Sequence, residues 1–390
     1  MSVGSFYTLF WLLYFPLCVA FYKTLRFDYI DEILTLLLIF YTFIHVRTKG
    51  NRWKLNEVKA HSAIMVFYVI YSLIMAVNVS TAVWLDLQQQ VRPYAIFYCT
   101  WILSPNLSER QKNVILSTMG VTIVAYIVSI VIGRSGEAMG TVATGQLALL
   151  MAMSYYCFKP ATKMNVLISV LILAVGLLST KSKFYGEFVV FVGLVFFLHG
   201  KIKFNSPRTI VQITLLVIAV LFFSWEKFNG YYVDGFEEEK LQELARPATY
   251  VTGIEILKDY FPLGSGLGTF ACNAAAKFYS PLYYVYELND YWGLTPDNPM
   301  FLADCFYPVL AQYGVVGIVL FCVFWKRRIK ETKYIVDDRY YKMALMCILA
   351  LAIESVADTS YLSGKGMGFF MLLAICLNMN NRQKKINYKS

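Results

Sequence analysis

The chain of 390 residues is 58% hydrophobic, 17% aromatic and only 15% charged. A soluble domain carries about 25% charged residues, so soluble, disordered, collagen-like and small disulfide-scaffold classes are excluded, and an all-α polytopic membrane protein is expected. The formal charge of +10 is then a topology signal, because the basic residues sit in short runs between apolar segments. A nucleic-acid binder would gather them with aromatics on one domain, so no nucleic-acid partner is expected.

Twelve apolar runs follow one another, at about 5–22, 33–46, 62–80, 91–104, 113–132, 142–158, 164–180, 184–199, 209–226, 301–325, 341–357 and 363–379. Several fall short of the roughly 20 residues that a perpendicular span needs, so their ends are expected to shift. The runs at 91–104 and 142–158 are candidates for broken or re-entrant segments. No basic stretch precedes the first run, so a cleaved leader is not expected. With the N-terminus inside, the inner segments hold 23 Lys and Arg residues and the short outer loops hold 7. That asymmetry places both termini on the inner side of the membrane. The chain divides into nine spans over 1–226, one long, partly helical outer loop over 227–300, and spans ten to twelve with a cytoplasmic tail over 301–390. The halves do not repeat each other, which weighs against a two-part carrier.

Cations on the outer side need a reason, since the basic-inside pattern is otherwise well kept. Arg92 opens the fourth run, Arg134 lies in GRSGEAMG, Lys181 and Lys183 lie in STKSKFYGEF with Glu187 one turn on, and Arg246 lies in ELARPATYVTG with Tyr250 one turn after it. As a set they suit a phosphate or pyrophosphate, whose oxygens match Arg two at a time. Taken singly, each also fits a side chain reaching to the headgroups.

The outer loop opens on DGFEEEK at 234–240, an acidic solvated face. Residues 246–260 have helical spacing, with Val251, Ile254 and Leu257 on one side and Pro262 as the stop. Gly264, Gly266 and Gly268 form GSGLG; with no strand before them, they read as a tight turn with close backbone approach, not a nucleotide loop. The aromatic stretch over 277–292 suits a membrane interface and also suits sugar stacking. Asp297 and Asn298 precede the tenth span, and Asp304 follows seven residues after Asp297. That spacing puts both carboxylates on one helix face if the helix begins early; capping, with Pro299 at the first helical position, is the alternative.

His45, His61 and His199 all fall at inner ends of spans, so outer-face chemistry has no His base and no His-rich metal site. Neither a metal nor a cofactor is expected. Among eight cysteines there is no CxxC pair, and a bridge between Cys272 and Cys305 stays open. Glu187, Asp304, Glu354 and Asp358, the acidic residues in or beside the spans, all lie near outer ends, which argues against a central cavity reached from both sides.

From Arg246 to Gly317 the chain resembles the O-antigen polymerase and ligase superfamily of bacterial envelopes. The resemblance rests on Arg246, then Phe261-Pro262-Leu263-Gly264-Ser265-Gly266-Leu267-Gly268-Thr269-Phe270, then Asp297-Asn298 where the family has His-Asn, then Gly314-Val315-Val316-Gly317. Upstream, Ser179-Thr180-Lys181-Ser182-Lys183 is similar to the family's Ser-Arg segment and Arg92-Pro93 to its basic-Pro pair. The resemblance implies a metal-independent glycosyltransferase that polymerises undecaprenyl-pyrophosphate-linked repeats at the periplasmic face. It implies Arg246, Arg92 and Lys183 on the leaving pyrophosphate, with Arg134, Lys181, Tyr250 and Asn298 also binding substrate. Asp297 would be the base. A flippase and a chain-length regulator would be its partners, besides the bilayer. Asp297 in place of His favours polymerase over ligase; a transporter of the same lipid-linked saccharides is the alternative from another class.

Overall fold

The computed structural model describes residues 1–20, 29–46, 52–131, 137–198, 200–202 and 244–387, with isolated helical positions between 211 and 229. Among the described residues the chain is all-helical, with no strand. Helix α1 (Val3–Tyr14) continues as a π-turn over Phe15–Ala20, where Pro16 lacks the N–H that an α-helical ladder needs. Then come α2 (Ile30–His45), α3 (Arg52–Met75), α4 (Ser80–Leu103), α5 (Glu109–Val131), α6 (Glu137–Phe158), α7 (Lys163–Val175) and α8 (Ser182–Val192). After them lie α9 (Ala245–Asp259), the short α10 (Asn273–Lys277) and α11 (Leu282–Val285), α12 (Gly314–Thr332), α13 (Asp338–Ala357) and α14 (Gly364–Asn387).

Eleven of the twelve apolar runs coincide with helices; the run at 209–226 lies mostly outside the described residues. Five helical segments are long and apolar enough to cross a membrane: Val3–Ala20, Arg52–Met75, Glu109–Ser129, Tyr307–Thr332 and Asp338–Ala357. Two boundaries depart from the sequence expectation. The run at 91–104 is neither short nor broken, because α4 starts at Ser80 and carries Arg92 and Pro93 in its interior. The polar LDLQQQ stretch hid that start. In the other direction, residues 297–306 are turns and Tyr307–Tyr313 a 3-10 segment, so regular α-helix begins only at Gly314. Pro299 and Pro308 withhold two donors there, and the Phe306 N–H is given to Ser355 O at 3.0 Å.

The outward faces of α2 and α3 are apolar, and their buried positions include polar residues. On α2, Leu36, Phe40, Phe43 and Ile44 are exposed while Asp31, Thr35 and Thr42 are buried. Both threonine hydroxyls donate back one turn, to Asp31 O and Leu38 O, which satisfies them without water. On α3, Val66, Phe67, Ile70 and Ile74 face out, and Tyr68 and Ser72 face in. Such an arrangement fits a hydrocarbon solvent, where the costly groups are the polar ones. Helix α14 is the hub: every residue from Phe369 to Leu377 is buried, and it packs on α4 and α13.

One end of the bundle is closed by buried cations. Lys54 Nζ donates to Trp101 O at 2.5 Å and to Asn378 Oδ1 at 2.9 Å. Arg328, fully buried, donates to Glu57 Oε1 at 2.6 Å. Its Nε and Nη1 have no hydrogen-bond partner; the guanidinium instead lies over Trp101, Phe97 and Phe324, 4.7–5.3 Å from their centroids. Both cations entered the sequence reading only as topology markers.

Candidate functional site

At the other end, elements far apart in sequence converge. Helix α8 brings Lys183, whose Nζ donates to Glu354 Oε2 at 2.5 Å and Asp358 Oδ2 at 2.6 Å. Glu354 closes the last turn of α13 and Asp358 caps it. Ser360 Oγ reaches the same two carboxylates at 3.1 and 2.9 Å, and Gln146 Nε2 of α6 donates to Ser360 Oγ at 2.7 Å. Burial alone would raise the Asp358 carboxyl; Lys183 and Lys365 outweigh it and hold Asp358 down to about 2.

Helix α9 adds Arg246, whose Nε and Nη2 both converge on Asp304 Oδ2, the Nε at 3.0 Å. Asp304 also lies within electrostatic reach of Asp358 and Lys183, which joins the two ion clusters. Burial lifts the Asp304 carboxyl above its usual range, against the opposing pull of Arg246. Tyr250 Oη donates to Val356 O at 2.9 Å and Thr359 Oγ1 to Ala303 O at 3.2 Å, fastening α9 and the 303–306 turn to the end of α13. Arg92 stands nearby in the same scaffold. It forks onto Asp31 and Glu32 and donates to Leu362 O at 3.1 Å, in the connection that carries Ser360.

The sequence-derived candidates therefore separate. Arg246 and Lys183 both act on Asp304, and Tyr250 ties α9 to the end of α13. Arg92 lies mid-helix, engaged by two carboxylates that sequence reasoning did not count, Asp31 and Glu32. Lys181 is half-buried at the turn before α8 and forms no ion pair among the described residues. Arg134 lies outside the described residues, as do 234–240. Asp297 is exposed in a turn, and neither it nor Asn298, whose N–H bonds Thr295 Oγ1 at 3.0 Å, makes a side-chain bond to the cluster. The expected shared helix face of Asp297 and Asp304 is not formed, since neither residue is helical.

The glycine segment is a structural wedge. Gly266 N–H is given to Gln312 O at 2.9 Å, Leu267 N–H to Ser72 Oγ at 2.7 Å, Gly268 N–H to Asp86 Oδ2 at 2.9 Å and Thr269 N–H to Gln312 Oε1 at 2.8 Å. With those amides taken, the loop has no cradle for a phosphate. Gly264 has φ +83°, and a Cβ there would lie 2.3 Å from Gly314 N. Gly264→Ala is expected to cost roughly 3 kcal/mol, from left-handed strain plus overpacking. Gly200→Ala, at φ +76° with open space around it, should cost about 1 kcal/mol. Thermal unfolding of the two purified variants checks the difference.

The structure also locates the residues of the outer loop that the sequence left open. Ile254 is 56% exposed, and the buried face of α9 is instead Ala248, Thr249, Thr252, Gly253 and Ile256. Small residues let α9 approach the 3-10 segment, where a Cβ on Gly253 would sit 3.7 Å from Pro308. Cys272 and Cys305 are both free and buried. The aromatic stretch divides: Tyr283 is buried, with Oη accepting from Ala271 N at 2.9 Å, while Tyr284 and Trp292 are exposed.

A cavity of about 300 Å³ lies between α3, α4 and α12, walled mainly by His61, Tyr68, Tyr94, Tyr98, Phe306 and Tyr313, with Glu57 and Arg327 of the opposite end also in its wall. Two polar atoms of that wall, His61 Nε2 and Tyr313 Oη, have no hydrogen-bond partner. Phe306 borders this cavity two residues after Asp304, and its ring stacks on Tyr361 at 4.0 Å. The apolar, aromatic space thus has Phe306 in its wall, two residues after Asp304, and Glu57 and Arg327 as its charged wall residues. Comparison with protein families and with curated proteins finds no match to the chain.

Proposed function

We propose that the chain is a twelve-span glycosyltransferase of the bacterial inner membrane that polymerises repeats carried on undecaprenyl pyrophosphate, working at the periplasmic face. The observation that carries the reading is the gathering of Arg246–Asp304 and Lys183–Glu354–Asp358 at one end of the bundle, with Phe306, two residues after Asp304, in the wall of an apolar cavity between helices. A lipid pyrophosphate has the same two parts. The family resemblance supports the reading, since Arg246 and Lys183 belong to separate motifs and both act on Asp304.

In the proposed reaction the acceptor hydroxyl attacks the anomeric carbon, a C–O bond forms, and the bond from that carbon to the phosphate oxygen breaks. The lipid pyrophosphate leaves with the electron pair. Arg246 and Lys183 answer the charge that builds on it. Both are held by carboxylates, so the pyrophosphate competes with Asp304 for the guanidinium. Asp304, released and already less acidic than an ordinary carboxyl, takes the acceptor proton. That moves the role of base from Asp297 to Asp304. Arg92, bound to Asp31 and Glu32, positions the connection after α13 in this scheme.

A deletion strain tests the function. Single surface repeats without longer chains support polymerisation. Loss of all surface repeats, with the lipid-linked intermediate accumulating inside, supports the carrier instead. Orientation is tested by reporters active only in the periplasm, with activity expected for an insertion within 234–240 and none for one after Lys333. The reverse pattern removes the site from the periplasmic face.

A further inference from the structure

Below Lys183, one turn along α8, lies a carboxyl that the proposed reaction does not use. Glu187 is 1% exposed, as is Glu354, the carboxyl that it meets across the α8–α13 contact. Neither Glu187 oxygen has a hydrogen-bond donor. Two ionised carboxylates carry acceptors only, so such a meeting has nothing to hold it. Nearby on the same network, Gln146, 2% exposed, also has an unpartnered acceptor, Oε1.

Charge arithmetic points the same way. The groups facing Glu187 are Lys183 on its own helix and Glu354 and Asp358 on α13. Helix α6 presents the neutral Gln146, bonded through Ser360 to the carboxylates. The Arg246–Asp304 pair lies beyond, neutral as a unit. Lys183 is already shared between Glu354 and Asp358. Lys365 also acts on Asp358, so full ionisation would leave three carboxylates to two cations, one charge more than an interior readily keeps. No group of three or more metal-ligating side chains occurs among the described residues, so the observed geometry offers no metal cage.

We propose that Glu187 and Glu354 form a proton-binding pair, with one proton held between them at neutral pH and Glu187 its main carrier. The proton supplies the missing donor and brings the cluster close to balance. Its release at alkaline pH leaves a third charge four residues from Lys183 on one helix face, where Lys183 can turn to it and loosen Asp358. This site stands independently of the glycosyl-transfer reading.

Infrared difference spectroscopy of the purified full-length chain in lipid nanodiscs tests it. The carbonyl band of a protonated carboxyl is distinct from carboxylate absorption. The spectrum of the parent minus that of Glu187→Gln should contain one such band at neutral pH, and it should fade on alkalinisation. Asp358→Asn should retain it. A difference spectrum without the band overturns the pair. Should Glu187→Gln fail to fold, Glu187→Asp decides: the band shifts in frequency if Glu187 carries the proton, and an unshifted band refutes the assignment.

Discussion

Arg246→Ala is expected to abolish polymer while single repeats still reach the surface. The guanidinium is largely buried, aimed at Asp304 Oδ2 through both Nε and Nη2, and stands beside the Lys183 network. If it stabilises the leaving pyrophosphate, its contacts strengthen as charge develops. Losing one such donor costs about 3–4 kcal/mol of barrier, a rate factor of roughly 10²–10³. Arg246→Lys keeps a charge but not the planar two-N–H geometry, so it should restore little. A purely structural staple between α9 and the 303–306 turn predicts a different outcome: less folded protein, but a normal ladder at matched protein level. Chain-length profiles on a gel for both variants, normalised to folded protein, separate the two. A normal ladder from Arg246→Ala removes this residue from the chemistry and weakens the glycosyltransferase reading.

At the opposite end, Arg328→Ala should destabilise the fold by about 3–5 kcal/mol, as expected when one partner of a buried ion pair is removed. The guanidinium is fully buried, bonded to Glu57 at 2.6 Å and Glu331 at 3.2 Å, and enclosed by Phe97, Trp101 and Phe324. Its loss strands Glu57 beside an aromatic cavity. Glu57→Gln in the Arg328→Ala background should recover part of the loss, since the stranded charge is then gone. Thermal unfolding of the purified single and double variants measures both effects. Equal unfolding temperatures for parent and Arg328→Ala would show that the buried ion pair adds no net stability.

Several features were legible in the chain because they depend on local composition. Apolar run length located the helices, since twenty apolar residues have few other fates. Pro262 ended α9, and the tight GSGLG turn followed from glycine's freedom at positive φ, with Gly264, Gly266 and Gly268 all in that region. The resemblance named Arg246 and Lys183, and in the fold both act on one carboxylate, Asp304.

Sequence alone determined the helical membrane class and the identity of the charged residues at its margins. Only tertiary structure decided which charges face each other. Ion pairing acts between groups far apart in the chain, such as Lys183 with Glu354 and Asp358, 171 and 175 residues on, and periodicity carries no trace of it. The resemblance put forward Asp297 as the base; in the fold the 297–306 turns leave Asp297 exposed and pair Asp304 with Arg246. Asp31 and Glu32 likewise became visible only when α2 packed on α4, because a buried guanidinium requires carboxylates that its own segment does not supply.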